Sequence, residues 1–296
     1  ANGGEEVTET GCYYAKEGNH DNTQQKTMVE NYQGAIGLQQ MRLNDLQFNT
    51  TYRIWTYAKN RVGETQSESI TFKTTDAVKL QEAGKLSELM GNHLYEYTQL
   101  TIAGYLNGDD LGCLRTMAGR DINNETTAGK LADINLADAH IVAGGGDFGP
   151  YHRHTENQVV GQGFLAQCNQ LSHILLPSNV TKIEKDAFTD CTSLKEIEIP
   201  ASVNQLLPSS GCTALETIQV SKANTKYSSL DGVLFNGKGT EIIWFPMGKQ
   251  GDYTLPSTLT SIGDYAFKEC SITRFNFPEI IDKQKRLVEL NNKIVY

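Results

Sequence analysis

Alternating apolar and polar residues run through much of this chain and predict short β-strands. The clearest case ends the stretch DAFTDCTSLKEIEIP, where Ile197 and Ile199 alternate with Glu196 and Glu198. A period of two places the isoleucines on one face of a strand and the glutamates on the other. The proline that follows cannot donate to a ladder of hydrogen bonds, so the strand is expected to end there.

The same pattern recurs along the chain. CNQLSHILLP begins at Cys168, CTSLKEIEIP at Cys191, CTALETIQV at Cys212 and CSITRFNFP at Cys270. The shared frame is C-x-x-L-x-x-I-x-apolar-P, which the third and fourth copies follow imperfectly. LADINL, from Leu131, has the core of the frame without the cysteine. Such internal self-similarity predicts a repeat architecture.

The spacing of the copies predicts a leucine-rich solenoid. The first three cysteines are 23 and 21 residues apart, and units of this length bury their apolar side only by stacking. We expect Phe188, Cys191 and Leu194 to fill one interior layer, with the cysteine as a small buried apolar residue. A disulfide between neighbouring coils or a metal site remain alternatives, although zinc sites prefer C-x-x-C spacing. Cys12 and Cys113 lie outside the frame and are expected to be unpaired.

Residues 1–76 follow a different β pattern, divided by polar turns. LQFNTTYRIWTYAKN resembles the tyrosine-corner region of a fibronectin type III domain, and NRVGETQSESITFKTT is similar to the last hairpin of that fold. The resemblance implies a β-sandwich, with or without its first strand, in which Leu46 and Tyr52 form the corner. The same resemblance places Ile54, Thr56 and Ala58 towards the core and Arg53, Trp55 and Tyr57 outward. Trp55 would then stack on neighbouring side chains of the sheet surface or contact a ligand or a second domain.

Residues 77–92, AVKLQEAGKLSELMGN, carry apolar residues at helical spacing: Leu80, Ala83, Leu86 and either Leu89 or Met90. This spacing predicts a short amphipathic helix. We expect the helix to link the sandwich to the solenoid and to cap the first coil, because an open end would expose the core. A helix that binds a partner is the alternative.

VTKIEKDAFTDCTSLKEIEIPASV and LTSIGDYAFKEC resemble the BspA-like leucine-rich repeats of bacterial surface proteins. YSSLDGVLFNGKGTEIIWFPMGKQGDYTLPSTLTSI looks like the hairpin-rich variant of that repeat. LTIAGYLNGDDLGCLRTMAG is similar to the start of such arrays in Bacteroides-type proteins. The resemblance covers roughly residues 80–296. It implies a mainly β protein: a sandwich over 1–76, a linker helix over 77–92 and a solenoid with short helical turns over 93–296.

Composition narrows the possible functions. The chain has 296 residues and a net charge of −9, with an isoelectric point near 5.2. A phosphate backbone would be repelled on average, so no nucleic-acid partner is expected. No apolar run reaches the length of a membrane span. The resemblance implies an extracellular protein of the outer-membrane surface, secreted and held by a lipid anchor outside this sequence.

Candidate catalytic and metal-binding groups are few. His152 and His154 are weak candidates for a metal, with Asp147 or Glu156 as a further ligand. The carboxylate pairs Asp109–Asp110 and Asp133–Asp138 follow no spacing rule for glycosidases. The glycines at 144–146 lack the phosphate-loop motif and are expected to serve a turn. No G-x-S-x-G or H-E-x-x-H motif is present, and a Cys–His nucleophile stays an alternative. We therefore expect no enzyme and no cofactor.

The outward positions of the aligned strands predict a binding face. The candidate residues are Asp133, Asn135, His173, Leu175, Glu196, Glu198, Thr217, Gln219, Ile242, Trp244, Arg274 and Asn276. Solenoids recognise partners through such extended surfaces, and Trp244 and Leu175 would be its exposed apolar members. The implied function is adhesion to a host or matrix protein.

Two other functions remain open. A glycan-binding accessory protein of a polysaccharide-uptake system would need Trp244, Tyr151 and Tyr227 to line one cleft, and a structural spacer would have no ligand. The C-terminal KRLVELNNKIVY is expected to cap the last coil with Leu287, Leu290, Ile294 and Val295.

Overall fold

A computed structural model describes residues 5–18, 24–28, 41, 43, 46–74 and 77–276. The chain divides into two compact units, Ala1–Val78 and Lys79–Tyr296. Both units are mainly β, and helices are few. The predicted cap at the C-terminus lies outside the described residues.

The first unit contains one antiparallel sheet. Its strands are β1 (Glu9–Lys16), β2 (Gln25–Met28), β3 (Thr51–Lys59), β4 (Glu64–Gln66) and β5 (Ile70–Lys73). They lie in the order β2-β1-β3-β4, and β5 also pairs with β3. Because β4 and β5 return along β3 after a turn at Asn60–Gly63, the segment predicted to be the last hairpin does pair as one.

The core of this unit forms around a buried tyrosine. The main-chain N–H of Gln47 donates a hydrogen bond of 2.9 Å to the hydroxyl oxygen of Tyr52, the contact that defines a tyrosine corner. Tyr52 packs with Cys12 and Tyr14, and Leu46 is half-buried against them. A two-sheet fibronectin III-like sandwich stays a prediction, since residues 29–40 lie outside the described part of the chain.

The exposure expected from the facing of β3 is wrong towards its end, although the facing itself is kept. Tyr57 was expected to point outward but is 2% exposed, whereas Thr56 and Ala58 are exposed. The ammonium group of Lys26 lies 4.4 Å from the centre of the Tyr57 ring and 2.7 Å from a carboxylate oxygen of Glu9. Tyr57 is therefore covered by side chains of the same sheet face.

Trp55, on that same face, stacks on Tyr13 with ring centres 5.9 Å apart. Its indole N–H donates to the side chain of Gln66. Trp55 therefore contacts its neighbours on the sheet surface, which is the simpler of the two roles predicted for it.

The second unit contains sixteen strands among its described residues. They are β6 (Ala77–Leu80), β7 (Gln99–Leu106), β8 (Asp133–Asn135), β9 (Ala139–Ile141), β10 (Val159–Val160), β11 (His173–Leu175), β12 (Lys182–Ile183), β13 (Glu196–Ile199), β14 (Gln205–Leu206), β15 (Thr217–Val220), β16 (Tyr227–Leu230), β17 (Val233–Asn236), β18 (Glu241–Trp244), β19 (Asp252–Thr254), β20 (Ser261–Ile262) and β21 (Arg274–Asn276). The helices are α1 (Leu86–Met90), a 3-10 turn (Gly91–His93) and α2 (Gly108–Met117).

The helix predicted over 77–92 is much shorter than expected. Residues Ala77–Leu80 form β6 beside β7, and the helix is confined to Leu86–Met90. Leu86 and Met90 are buried, as the spacing predicted, but Leu89 is exposed. Gly84, at a φ of +85°, lies between the two elements. A backbone conformation that favours glycine thus separates strand from helix.

Sequence analysis did not identify α2. The Asn107 side chain accepts hydrogen bonds from the main-chain N–H groups of Asp109 and Asp110, and the Asp110 carboxylate accepts one from the main-chain N–H of Asn107. This reciprocal arrangement is a capping box. The buried Asp110 carboxylate also accepts from the N–H groups of Gly84 and Leu86. Asp110 therefore ties the start of α1 to the start of α2.

A fully buried arginine joins α2 to the first of three repeats, those of Cys168, Cys191 and Cys212. We call these three repeats the regular coils. The Arg115 guanidinium donates 3.1 Å and 2.9 Å hydrogen bonds to the carbonyl oxygens of Gly163 and Ala166. It also reaches the carbonyl oxygen of Asp121 and the side chain of Asn124. The charge is thus solvated by carbonyl dipoles, as burial of a charged group requires.

Two ladders of parallel strands form the repeat region. One runs β7-β8-β11-β13-β15, and the other runs β10-β12-β14. The cysteine, leucine and isoleucine of the frame are buried between them, each at most 1% exposed: Cys168, Cys191 and Cys212; Leu171, Leu194 and Leu215; Ile174, Ile197 and Ile218. The predicted inward facing of the frame is confirmed in these three coils.

The frame cysteines also bond from coil to coil. The Cys191 thiol donates to the carbonyl oxygen of Leu165 at 3.0 Å, and the Cys212 thiol donates to that of Phe188 at 3.2 Å. Each acceptor belongs to the preceding coil. Each carbonyl also accepts from a main-chain N–H of its own coil, so the repeated cysteine fills space and adds a second, inter-coil hydrogen bond that an alkyl side chain could not make.

The last part of the repeat region is built differently. We call residues 227–270 the hairpin region. β16 and β17 form an antiparallel hairpin whose turn, Asp231–Gly232, has two positive φ values. β17 then pairs with β18, with a register shift at Leu234–Phe235, and β18 pairs in parallel with β20. The predicted hairpin-rich variant of the repeat is present here. A separate two-stranded sheet joins β19 and β21.

Candidate functional site

Four strands of the first ladder bring most of the predicted face together. Asp133, His173, Glu196 and Thr217 occupy one row of the parallel register, and Asn135, Leu175, Glu198 and Gln219 occupy the next. All eight are half-buried or exposed. Gln99 and Thr101 of β7 extend the two rows by one strand, which the sequence frame missed. We call these ten residues the polar face.

The polar face is anionic. It contains the carboxylates of Asp133, Glu196 and Glu198 and no lysine or arginine. His173 lies between two acidic residues in the register, and its Nδ1 is 3.1 Å from a carboxylate oxygen of Asp133. With strands about 4.8 Å apart, five strands carry the two rows over roughly 19 Å. Such a surface attracts cationic groups of a partner.

Two predicted members of the face point the other way. Ile242 is 0% exposed and Trp244 is 2% exposed, so the expectation that they are surface anchors is wrong. Alignment on the proline after IIWF placed them outward. The register shift before β18 and the pairing of Ile242 with Ile262 instead turn both side chains inward. A slip of one residue exchanges the faces of a strand.

Two further predicted members belong to another sheet. Arg274 and Asn276 are exposed, but β21 pairs only with β19 among the described residues. The guanidinium of Arg274 lies 3.5 Å from a carboxylate oxygen of Asp252 on that neighbour. These residues do not continue the rows of the polar face, because the hairpin region separates them from β15.

The cysteines have the opposite character to catalytic nucleophiles. Burial raises the pKa of the Cys168 thiol to about 11 and the pKa of Cys113 and Cys212 to about 12, and it raises the pKa of Cys191 well above its usual value. The reactive form of cysteine is the thiolate. All six cysteines are free thiols, and only Cys270 is half-buried rather than buried.

The histidine pair meets a single carboxylate. Nδ1 of His152 is 3.2 Å from one oxygen of Asp147, and Nε2 of His154 is 3.5 Å from the other. Both histidine side chains are largely exposed. Within the described part of the chain, no group of three His, Cys, Asp or Glu side chains is arranged to hold a metal.

The carboxylate pairs and the glycine run have structural contacts. Asp109 accepts a hydrogen bond from the N–H of Gly146, and Asp110 forms the capping box with Asn107. A Cβ atom on Gly108 would lie 1.9 Å from the carbonyl oxygen of Gly146. The glycine run therefore packs against the start of α2, where side chains would not fit.

A cavity of about 580 Å³ lies where the regular coils meet the hairpin region. Segments from the ends of four strands line it: Lys185 and Asp186; Leu207–Ser210; Trp244 and Met247; Asp264, Tyr265 and Lys268. We call it the junction cavity. Tyr151 and Tyr227 do not line it, so the cleft predicted for a glycan, formed by these two tyrosines and Trp244, is not present at this cavity.

In the described residues, no helix has the length and apolar character of a membrane span.

Residues 154–242 and 244–287 match the family model described as BspA type leucine rich repeat region, in six copies. This match agrees with the resemblance seen in the sequence, and no catalytic family is indicated. Among curated proteins, none matches the chain significantly.

Several solved structures are similar to parts of the chain. The pneumococcal vaccine antigen PcpA is 18% identical over 62% of this chain and 45% of its own, with a TM-score of 0.40. A leucine-rich repeat protein from Eubacterium ventriosum is 20% identical over 61% of this chain and 44% of its own, with a TM-score of 0.33. A leucine-rich cell surface protein from Faecalibacterium prausnitzii is 17% identical over 75% and 74%, with a TM-score of 0.36. This chain spans less than half the length of the first two.

Proposed function

We propose that this chain, whose second unit carries BspA-type leucine-rich repeats, is a non-catalytic recognition protein of the bacterial surface. Its repeats form a solenoid, and the solenoid binds a host or matrix protein through the polar face. The observation that carries the proposal is the register of five parallel strands, which sets ten outward positions in two continuous rows.

The charge of this face supports a protein partner with a basic surface. Three carboxylates lie along the rows without a cation among them. Complementary charge accelerates encounter and aligns partners, and salt screens it over about 8 Å at physiological ionic strength. We therefore expect binding to weaken as salt is added.

An extracellular location fits the repeat type, because the motifs of the second unit resemble repeats of bacterial surface proteins. The first unit then acts as a spacer. Secretion and lipid anchoring are part of the same proposal.

The first test is a surface-plasmon-resonance screen of the chain against purified matrix proteins, in low and physiological salt. The Glu198→Lys variant reverses a charge of the polar face on β13, between the neighbouring strands β11 and β15. We expect it to weaken a genuine interaction about tenfold or more.

Glu156→Lys is the matched control, since Glu156 is exposed and precedes β10 of the other parallel ladder. It should bind as the wild type does. Equal loss in both variants would mean that overall charge, and not this face, governs binding. No binding to any matrix protein from a folded sample would favour the spacer function.

A further inference from the structure

The junction cavity exists because the second ladder is interrupted. β10, β12 and β14 pair in sequence, but the next equivalent strand, β20, pairs with β18 of the hairpin region instead. The segment after β14 and the segment after β20 therefore face each other without a shared ladder. One side-chain hydrogen bond spans them, from the N–H of Gly211 to Glu269. The gap between them is the cavity.

Tyr265 at the mouth of the cavity is unusual in its backbone and its exposure. Its φ is +58°, in the left-handed region that bulky residues avoid. The positions equivalent to it in two regular coils, five residues before the frame cysteine, are Gly163 and Asp186, at +79° and +61°. Tyr265 is 71% exposed, so burial does not compensate for the backbone cost. Strain of this kind is retained mainly at functional positions.

The floor of the cavity is apolar with one unsatisfied donor. Trp244 and Met247 are each 2% exposed and lie beneath the opening. The indole N–H of Trp244 has no hydrogen-bond acceptor among the described residues. Buried donors in this state are uncommon and call for an explanation. Leu207, 54% exposed, adds an apolar wall.

The charged groups around the cavity balance one another. Lys185 and Lys268 are matched by Asp186 and Asp264, so the lining favours neither an anion nor a cation. It does offer both donors and acceptors beside an exposed aromatic ring. A sugar fits this combination, because its hydroxyls donate and accept while its C–H face covers an aromatic ring.

An extended peptide fits the same walls less well. The N–H of Leu207 already bonds to Ile183, Pro208 has no N–H, and the carbonyl of Ser210 already accepts from Asp190. A peptide added as a strand needs a free main-chain edge. In this wall, the main-chain groups just named are already hydrogen-bonded or, at Pro208, lack a donor.

We propose that the junction cavity binds a short neutral oligosaccharide, with Tyr265 as the stacking platform and the Asp and Lys side chains at its rim as hydroxyl partners. Its volume is within the range of about 300–1,000 Å³ that is typical of small-ligand sites. This site is separate from the polar face, and neither depends on the other.

The experiment uses Trp244 as an internal reporter. The chain has two tryptophans, so the Trp55→Phe variant leaves Trp244 as the single indole fluorophore. This variant is titrated with maltotriose, cellotriose, xylotriose and triacetylchitotriose, and with a capped leucine tripeptide as the comparison probe. We expect a saturable change of emission with at least one sugar, at a dissociation constant below about 1 mM.

Variants of the platform residue then assign the binding. Tyr265→Ala should raise the dissociation constant about tenfold, and Tyr265→Phe should leave it within about threefold, because the ring and not the hydroxyl is the platform. Tyr105→Ala removes another exposed tyrosine that does not line the cavity, and should have no effect. Glu198→Lys should also leave sugar binding intact, which separates this proposal from the polar face.

Three results would overturn the sugar site. The first is no response to any of the four sugars up to about 10 mM. The second is sugar binding that survives Tyr265→Ala unchanged. The third is Tyr265-dependent binding of the tripeptide alone, which would identify a peptide site.

Discussion

The regular coils and the hairpin region carry the same sequence frame but obey it differently. In the coils of Cys168, Cys191 and Cys212, the cysteine, leucine and isoleucine of the frame are buried, and the strand positions that alternate with the isoleucine face outward. In the hairpin region, the residues aligned with outward positions, Ile242 and Trp244, are core. The sequence frame predicts which side chains of a strand point inward where the neighbouring strands are copies of the same repeat. It fails where a strand acquires a different partner, because the partner sets the register.

The strongest test of this comparison replaces one residue in each region. Trp244→Ala should lower the free energy of unfolding by about 3–5 kcal/mol, as loss of a buried aromatic side chain does. Leu175→Ala, on the polar face, should cost less than about 1 kcal/mol. Urea unfolding followed by far-UV circular dichroism measures both. Similar small losses would place Trp244 on the surface with Leu175.

A smaller effect is expected from the thiols that join the regular coils. The folded chain holds Cys212 protonated, with its pKa raised from 9.0 to about 12 by burial. Above pH 9 the unfolded chain loses this proton and the folded chain keeps it, so stability falls as pH rises. Between pH 9 and 10 each such thiol therefore lowers the free energy of unfolding by about 1 kcal/mol, because the unfolded thiol is only half deprotonated at the start of this range.

Cys212→Ala should reduce the slope of stability against pH by about this amount, measured as urea unfolding free energies between pH 9 and 10. Tyrosines, with an ordinary pKa of 10.0, also begin to ionise in this window, but they contribute equally to the wild type and the variant, so the difference between the two slopes isolates Cys212. An unchanged slope would show that Cys212 is more accessible than its burial indicates.

The smallest effect concerns the strained residue of the hairpin region. Tyr265→Asn places a residue that tolerates positive φ where the regular coils have glycine or aspartate. We expect the melting temperature to stay constant or to rise by a few degrees, equivalent to at most about 1 kcal/mol. A clear loss of stability would mean that Tyr265 serves packing, which would weaken the argument for a ligand at the junction cavity.

Features of the fold that depend on neighbouring residues could be predicted from the sequence, and features that depend on residues from distant strands could not. The buried frame and eight members of the polar face follow from periodicity, which needs only neighbouring residues. α2 was missed because Gly108, Asp109 and Gly112 are weak helix formers, although the Asn107-x-x-Asp110 capping pair was a usable signal. The N-terminal corner was recognised from Leu46 and Tyr52, yet the burial of Tyr57 depends on Lys26 and Glu9 from other strands.

The junction cavity was beyond sequence reasoning for a related reason. Its walls come from Leu207–Ser210 and from Asp264–Lys268, and they meet only because β20 pairs with β18. Nothing in either segment alone indicates the other. The positive φ of Tyr265 is equally invisible, since tyrosine is not a residue from which a left-handed turn is predicted.

The buried guanidinium of Arg115 limits how far the chain can be shortened from its N-terminus without loss of folding. Its bonds to the carbonyls of Gly163 and Ala166 come from a helix that precedes the matched repeats. A fragment that starts after α2 would lose the donor to both carbonyls and would open the apolar interior of the first regular coil to water. The minimal autonomous fragment therefore begins before Gly108, and shorter pieces designed from the repeat boundaries alone are expected to aggregate.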